Sequence, residues 1–94
     1  MKNMQTKMLE YFSDLGTKHS LQVNVSYTRS NRGTLYFQEG LKTWLMIKFD
    51  FQDHYMSIKL QIPEKGLIKR YDRILYQTEG QFIELTNSIE KHLP

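Results

Sequence analysis

Between Leu41 and Ile62, apolar and polar residues alternate strictly enough to commit the stretch to a β-hairpin with one buried face. Leu45, Ile47, Phe49 and Phe51 alternate with Met46, Lys48, Asp50 and Gln52; after the turn, Met56, Ile58, Leu60 and Ile62 alternate with Ser57, Lys59 and Gln61. Residues directly opposite each other in an antiparallel pair project from the same face, so an even-length loop closes the apolar face without conflict. An Asp53-His54 loop sets Lys48 opposite Lys59, whereas a Gln52-Asp53 loop sets Lys48 opposite Ser57. The cost of a like-charge pair favours the second register.

The flanking segments supply the rest of a small domain. Residues 3–15 place Met4, Met8, Tyr11, Phe12 and Leu15 at helical spacing, and Gly16 is expected to stop that helix. Leu21 to Thr28 alternates as a strand, Arg29 to Gly33 turns, and Thr34 to Gln38 is a short aromatic strand. For Leu35 and Phe37 to share a face with Val25 and Tyr27, the turn must be odd in length or carry a bulge, with Gly33 or Asn31 supplying a positive φ. The same conflict recurs at Glu39-Gly40, where a strict two-residue loop sets Leu35 beside Trp44 rather than Leu45. After the turn at Pro63 to Gly66, Leu67, Ile68, Tyr71, Ile74 and Leu75 fall at helical spacing, and we read the segment as helix, with a fifth strand over residues 71–77 as the alternative. Thr78 with Gln81 has the pattern of a capping box, opening a last helix with Phe82, Leu85, Ile89 and Leu93 on its inner stripe.

The expected fold is therefore α+β, a single domain over residues 1–94. It is a two-layer sandwich in which an antiparallel meander of four strands, or five, is flanked by an N-terminal and a C-terminal helix. Ninety-four residues suffice to bury a core without staples. Cysteine is absent, which excludes disulfides and thiolate chemistry and makes the cytoplasm the expected compartment. The longest unbroken apolar run is Trp44 to Ile47, too short for an export signal or a membrane span.

Chemistry-bearing motifs are sparse. No glycine-rich phosphate loop, nucleophile elbow or metal-ligand spacing occurs, and no cofactor is implied. Asp50, Asp53 and His54 meet at the hairpin tip, but those residue types are equally at home in an exposed turn, so no catalytic residue is assigned. The net charge of +3 is unevenly spread, with +2 over residues 64–73 and −2 over residues 74–94.

Two surfaces stand out. Trp44, Met46 and Tyr55 are expected on the sheet face opposite Leu45 and Ile47, with Lys48 and Lys59 at the rim. That composition suits a protein partner or a homodimer contact. Two helices on one side would leave the face open, and one helix on each side would cover it. The second surface is the basic run Lys65, Lys69, Arg70 and Arg73, with Arg29 and Arg32 at another turn. On a helix, Lys65, Lys69 and Arg73 line one side and could meet phosphates. The leading expectation is a non-enzymatic protein-binding module of the adaptor, inhibitor or immunity type; the alternative is nucleic-acid binding through the basic run.

Overall fold

A computed structural model describes residues 4–52, 55–75 and 79–94. Its elements in chain order are α1 (Met4–Lys18), β1 (Gln22–Arg29), β2 (Arg32–Glu39), β3 (Lys42–Phe51), β4 (Tyr55–Ile62), β5 (Gly66–Leu75) and α2 (Glu79–Glu90). The five strands form one antiparallel sheet in the order β1-β2-β3-β4-β5. This is the expected α+β arrangement, with the meander extended to five strands.

One face of the sheet carries the core. Leu35 and Phe37 of β2, Leu45, Ile47, Phe49 and Phe51 of β3, and Met56, Ile58 and Leu60 of β4 are buried in one cluster with Met8, Phe12 and Leu15 of α1 and Leu85 and Ile89 of α2. Helical spacing gives each helix a single apolar stripe, and both stripes meet the same side of the sheet. Burial of each such side chain is worth about 1.5–3 kcal/mol. Phe12 contributes an edge-on ring contact with Phe37 at 6.4 Å.

Helix α1 continues past Gly16 to Lys18, contrary to the expected stop. Its end is built instead around Ser20, whose φ is 58°. The Leu21 amide donates to the Gly16 carbonyl at 2.8 Å and the Ser20 amide to the Thr17 carbonyl at 3.1 Å, the paired bonds of a left-handed helix cap. Gly16 serves a different purpose: a Cβ there would collide with Cγ2 of Val23 on β1, so the missing side chain lets the helix lie close to the sheet.

The central hairpin adopts the register that the like-charge argument disfavoured. Lys48 faces Lys59, Asp50 faces Ser57 and Phe51 faces Met56. The Gln52 amide donates to the Tyr55 carbonyl at 2.8 Å; Asp53 and His54 lie outside the described residues. In the rejected register Phe51 would face His54, whereas the adopted one sets it against Met56, and both are buried. Apolar burial of this size exceeds the roughly 0.2–1 kcal/mol of a cross-strand charge pair.

Both parity conflicts are resolved by bulges. Between β1 and β2, Thr28 is the extra residue, and Val25 faces Leu35 as the core requires. Neither Gly33 nor Asn31 has the positive φ expected of it; among the described residues that conformation is confined to Ser20, Gly40 and Gly66. Between β2 and β3 the turn is Gly40-Leu41, and an extra residue in β3 restores Phe37 opposite Leu45 and Leu35 opposite Ile47.

Residues 66–75 form a strand, which corrects the helical reading. β5 carries one residue more than β4 at two places, between Leu67 and Lys69 and between Tyr71 and Ile74. Each extra residue resets the two-residue alternation, so the apolar positions recur at intervals that imitate a helix. Lys65, Lys69 and Arg73 therefore do not line one side of a helix. In the last helix Leu85 and Ile89 are buried; the helix ends at Glu90, so Leu93, expected on its inner stripe, lies beyond it and packs against the core from the segment that follows; Thr78 and the side chains of Gln81 and Phe82 lie outside the described residues.

Candidate functional site

With both helices on one side, the opposite face of the sheet has no helix over it, and the register lines its residues up in rows. The middle row runs Ser26, Thr34, Lys48, Lys59, Arg70 across all five strands. Directly opposed residues stand about 4.5–5.5 Å apart at Cβ, so three cations follow one another from β3 to β5. One flanking row is Arg32, Asp50, Ser57, and the other is Asn24, Tyr36, Met46, Gln61.

Where the middle row meets the Arg32 row, the twisted sheet forms an open depression of about 420 Å³, lined among others by Arg32, Thr34, Lys48, Ser57, Lys59 and Arg70. Its acidic member is Asp50, whose Oδ2 accepts from Arg32 Nη2 at 2.8 Å while Oδ1 accepts from Gln52 Nε2 at 3.1 Å. Arg32 and Asp50 thus offset each other. No carboxylate among the described residues lies in ion-pair range of Lys48 or Lys59. The depression presents ammonium, guanidinium and hydroxyl donors, the chemistry of an anion site.

The expected residues redistribute over this geometry. Lys48 and Lys59, read as the rim of a protein interface, and Arg70 and Arg32, read as part of a separate basic run, converge on one face. Arg29 faces Arg32 at the end of the β1–β2 hairpin and extends it. Lys65 lies at the opposite end of the sheet, in the β4–β5 turn, and the side chains of Lys69 and Arg73 lie outside the described residues. Met46 and Tyr55 are on the open face, Tyr55 with 40% of its surface exposed.

Trp44 parts company with them. It falls between Thr43, which faces Gln38, and Leu45, which faces Phe37, at the β3 bulge. It packs against the core cluster at one end of the sheet. There it lines a depression of about 210 Å³ with Ile62, Pro63 and His92. Tyr55 begins β4 and Ile62 ends it, a separation of about 20 Å along the strand, so Trp44 and Tyr55 do not form one patch. Lys42 Nζ sits 3.7 Å from the centre of the Trp44 ring, and Trp44 Nε1 is buried with no acceptor among the described residues.

A second cluster of titratable groups fastens the helices. Lys18 Nζ and His19 Nε2 approach Glu90 Oε2 at 2.7 and 2.8 Å, and His19 Nδ1 lies 2.7 Å from the Pro94 carbonyl oxygen. Both partners of the imidazole are acceptors, so both nitrogens donate only in the protonated ring. The hydrogen bond to Glu90, followed by that to Pro94, raises the His19 pKa above its ordinary value. Hydrogen bonds from Lys18 and then His19 hold Glu90 below the usual carboxylate range.

At the hairpin tip, Asp50 is engaged by Arg32 and Gln52, while Asp53 and His54 lie outside the described residues. Among the described residues no group of three or more His, Asp or Glu could hold a metal ion. None of the helices described is long and apolar enough to cross a membrane. Register arithmetic could have found the cation row, since the alternative hairpin loop already set Lys48 against Lys59. Arg70 could not join it without the strand assignment of β5. No family model, no curated protein and no solved structure matches this chain.

Proposed function

We propose that this chain is a small non-enzymatic binding module that takes an anionic macromolecule on the open face of its sheet. The observation that carries the reading is the row Lys48, Lys59, Arg70, three cations set directly against one another on the side away from both helices. The Lys48–Lys59 juxtaposition costs stability in the free protein, and a partner of opposite charge relieves it. Self-association through this face is disfavoured, because a two-fold axis would bring the cations of one copy against those of the other. A chain without cysteine is suited to the cytoplasm, where we propose that it acts.

Retention on a heparin column across a salt gradient tests the reading. Wild type should elute later than Lys48→Glu/Lys59→Glu, and Lys65→Glu/Lys91→Glu, with the same net charge as that variant, should elute nearer to wild type. Equal elution of the two variants would reduce the row to a contribution to net charge.

A second reading has its own observation. The Trp44 Nε1 group, buried beside Ile62, Pro63 and His92 with no acceptor among the described residues, would be satisfied by a partner protein's carbonyl that enters the depression as its rim opens. Trp44→Phe keeps an aromatic ring, smaller than the indole, and removes the donor. It should weaken capture of such a protein while leaving retention on heparin unchanged; capture at wild-type strength would dismiss the donor's role.

A further inference from the structure

We infer that the anionic partner is single-stranded nucleic acid, with Lys48, Lys59 and Arg70 meeting its phosphates and Tyr36 and Met46, in the adjacent row, meeting its bases. The inference rests on the open face being the anion-binding surface and adds what the rows imply about the ligand. Two residues along a strand separate the cation row from the row Asn24, Tyr36, Met46, Gln61, a distance of roughly 7 Å. Tyr36 and Met46 are partly exposed there, and Asn24 and Gln61 bring amide groups able to bond base edges.

A backbone of phosphates lying across β3, β4 and β5 would therefore have its bases over a ring, a thioether and amides. An acidic peptide would answer the cations equally well. It would leave the neighbouring row without a counterpart, whereas a nucleic-acid strand has a charged edge and a stacking edge at that offset. The cation row spans about 10 Å over three strands, a footprint for one backbone rather than for the two backbones of a duplex. Thr34 and Ser57, which line the same depression, add hydroxyl donors for phosphate oxygens.

Anisotropy of a labelled oligothymidylate of roughly a dozen nucleotides, measured over a salt series, provides the test. Three phosphate contacts predict a slope of log affinity against log salt of about −2, because each contact on a single strand contributes about −0.7. Lys48→Gln/Lys59→Gln should bring the slope towards about −0.7 and weaken binding at least tenfold at low salt. Tyr36→Leu should weaken binding about tenfold while leaving the slope unchanged, and Tyr36→Phe, which keeps the ring, should bind as wild type.

Loss of binding through unfolding is separable, since removing like charges from the row should leave the melting temperature of Lys48→Gln/Lys59→Gln at or above that of wild type. Failure of the oligonucleotide to bind, with poly-glutamate binding in a Lys48- and Lys59-dependent way, would overturn the nucleic-acid inference and leave the anion-binding reading in place. Binding unaffected by Lys48→Gln/Lys59→Gln, or no binding of either polyanion, would overturn both. Full affinity in Tyr36→Leu would overturn the assignment of the base row.

Discussion

On the helix side of the sheet the cross-strand pairs of β2, β3 and β4 join apolar residues, Leu35 to Ile47 to Leu60 and Phe37 to Leu45, whereas on the other side the same strands set Lys48 against Lys59 and Lys59 against Arg70. The two faces share one set of backbone hydrogen bonds, so their registers cannot be chosen separately. Burial of Phe51 against Met56 outweighs the repulsion between two lysines and sets the pairing for both sides. A residue on the open face is therefore free of packing demands, and its identity can answer to a ligand instead. The cation row is tolerable because the core face carries the stability, and it is useful because no carboxylate among the described residues neutralises Lys48 and Lys59.

The largest effect should separate adjacent residues of β2. Phe37→Ala removes a fully buried ring that touches Phe12, and should cost about 3–5 kcal/mol in urea unfolding. Tyr36→Ala, one residue away on the open face, should cost about 1 kcal/mol or less. Equal losses would erase the distinction between the faces.

Gly33 tests the core side where it comes closest to another strand. It stands between Tyr27 and Phe49 in the register, and their rings meet edge to face at 6.1 Å across it. A Cβ there would lie 2.5 Å from the Ser26 carbonyl oxygen and 3.1 Å from Tyr27 Cα, backbone atoms that cannot swing aside. Gly33→Ala should therefore lower stability by about 1–3 kcal/mol, measured by the same unfolding curves.

Lys59→Glu runs in the opposite direction. Facing Lys48 and Arg70, a carboxylate should raise stability by about 0.2–1 kcal/mol at low salt, with the gain shrinking as salt is added. A loss would mean that the row is not repulsive in the free protein.

The smallest effect lies in the helix layer. Because His19 titrates higher in the folded chain than in the unfolded one, its contribution is complete below about pH 6.5 and disappears as pH rises through the raised folded value. Glu90, held low, contributes above its ordinary range and loses that contribution as pH falls through its lowered value. The melting temperature should decline slightly as pH rises above about 6.5, and the decline should flatten in His19→Gln. An unchanged slope in the variant would remove the clasp from the stability of either layer.

The central hairpin and the first three strands are legible in the sequence because their alternation is strict, and the parity arithmetic locates both irregular turns. It does not name the residue that absorbs each irregularity. Thr28 and Trp44 are as good strand formers as their neighbours, so nothing local marks them as the displaced positions. The β5 strand is hidden for the same reason twice over, and with it the alignment of Arg70 with Lys48 and Lys59. Gly16 has the sequence context of a helix stop, yet its role is set by Val23, seven residues on and in another element, which no local rule supplies.

The meander order has a consequence for how the chain reaches this state. Each strand pairs with its neighbour in sequence, so the sheet can assemble hairpin by hairpin with short loops to close. The packing of α1 against α2 is different in kind, since it joins the two extremes of the described chain across the whole sheet. The search for the fold is thus local until its last step. That step is completed in two ways at once, by burial of Met8, Phe12, Leu85 and Ile89 inside and by the charges of Lys18, His19 and Glu90 at the rim, so the two ends of the chain are joined only when the sheet between them is already in place.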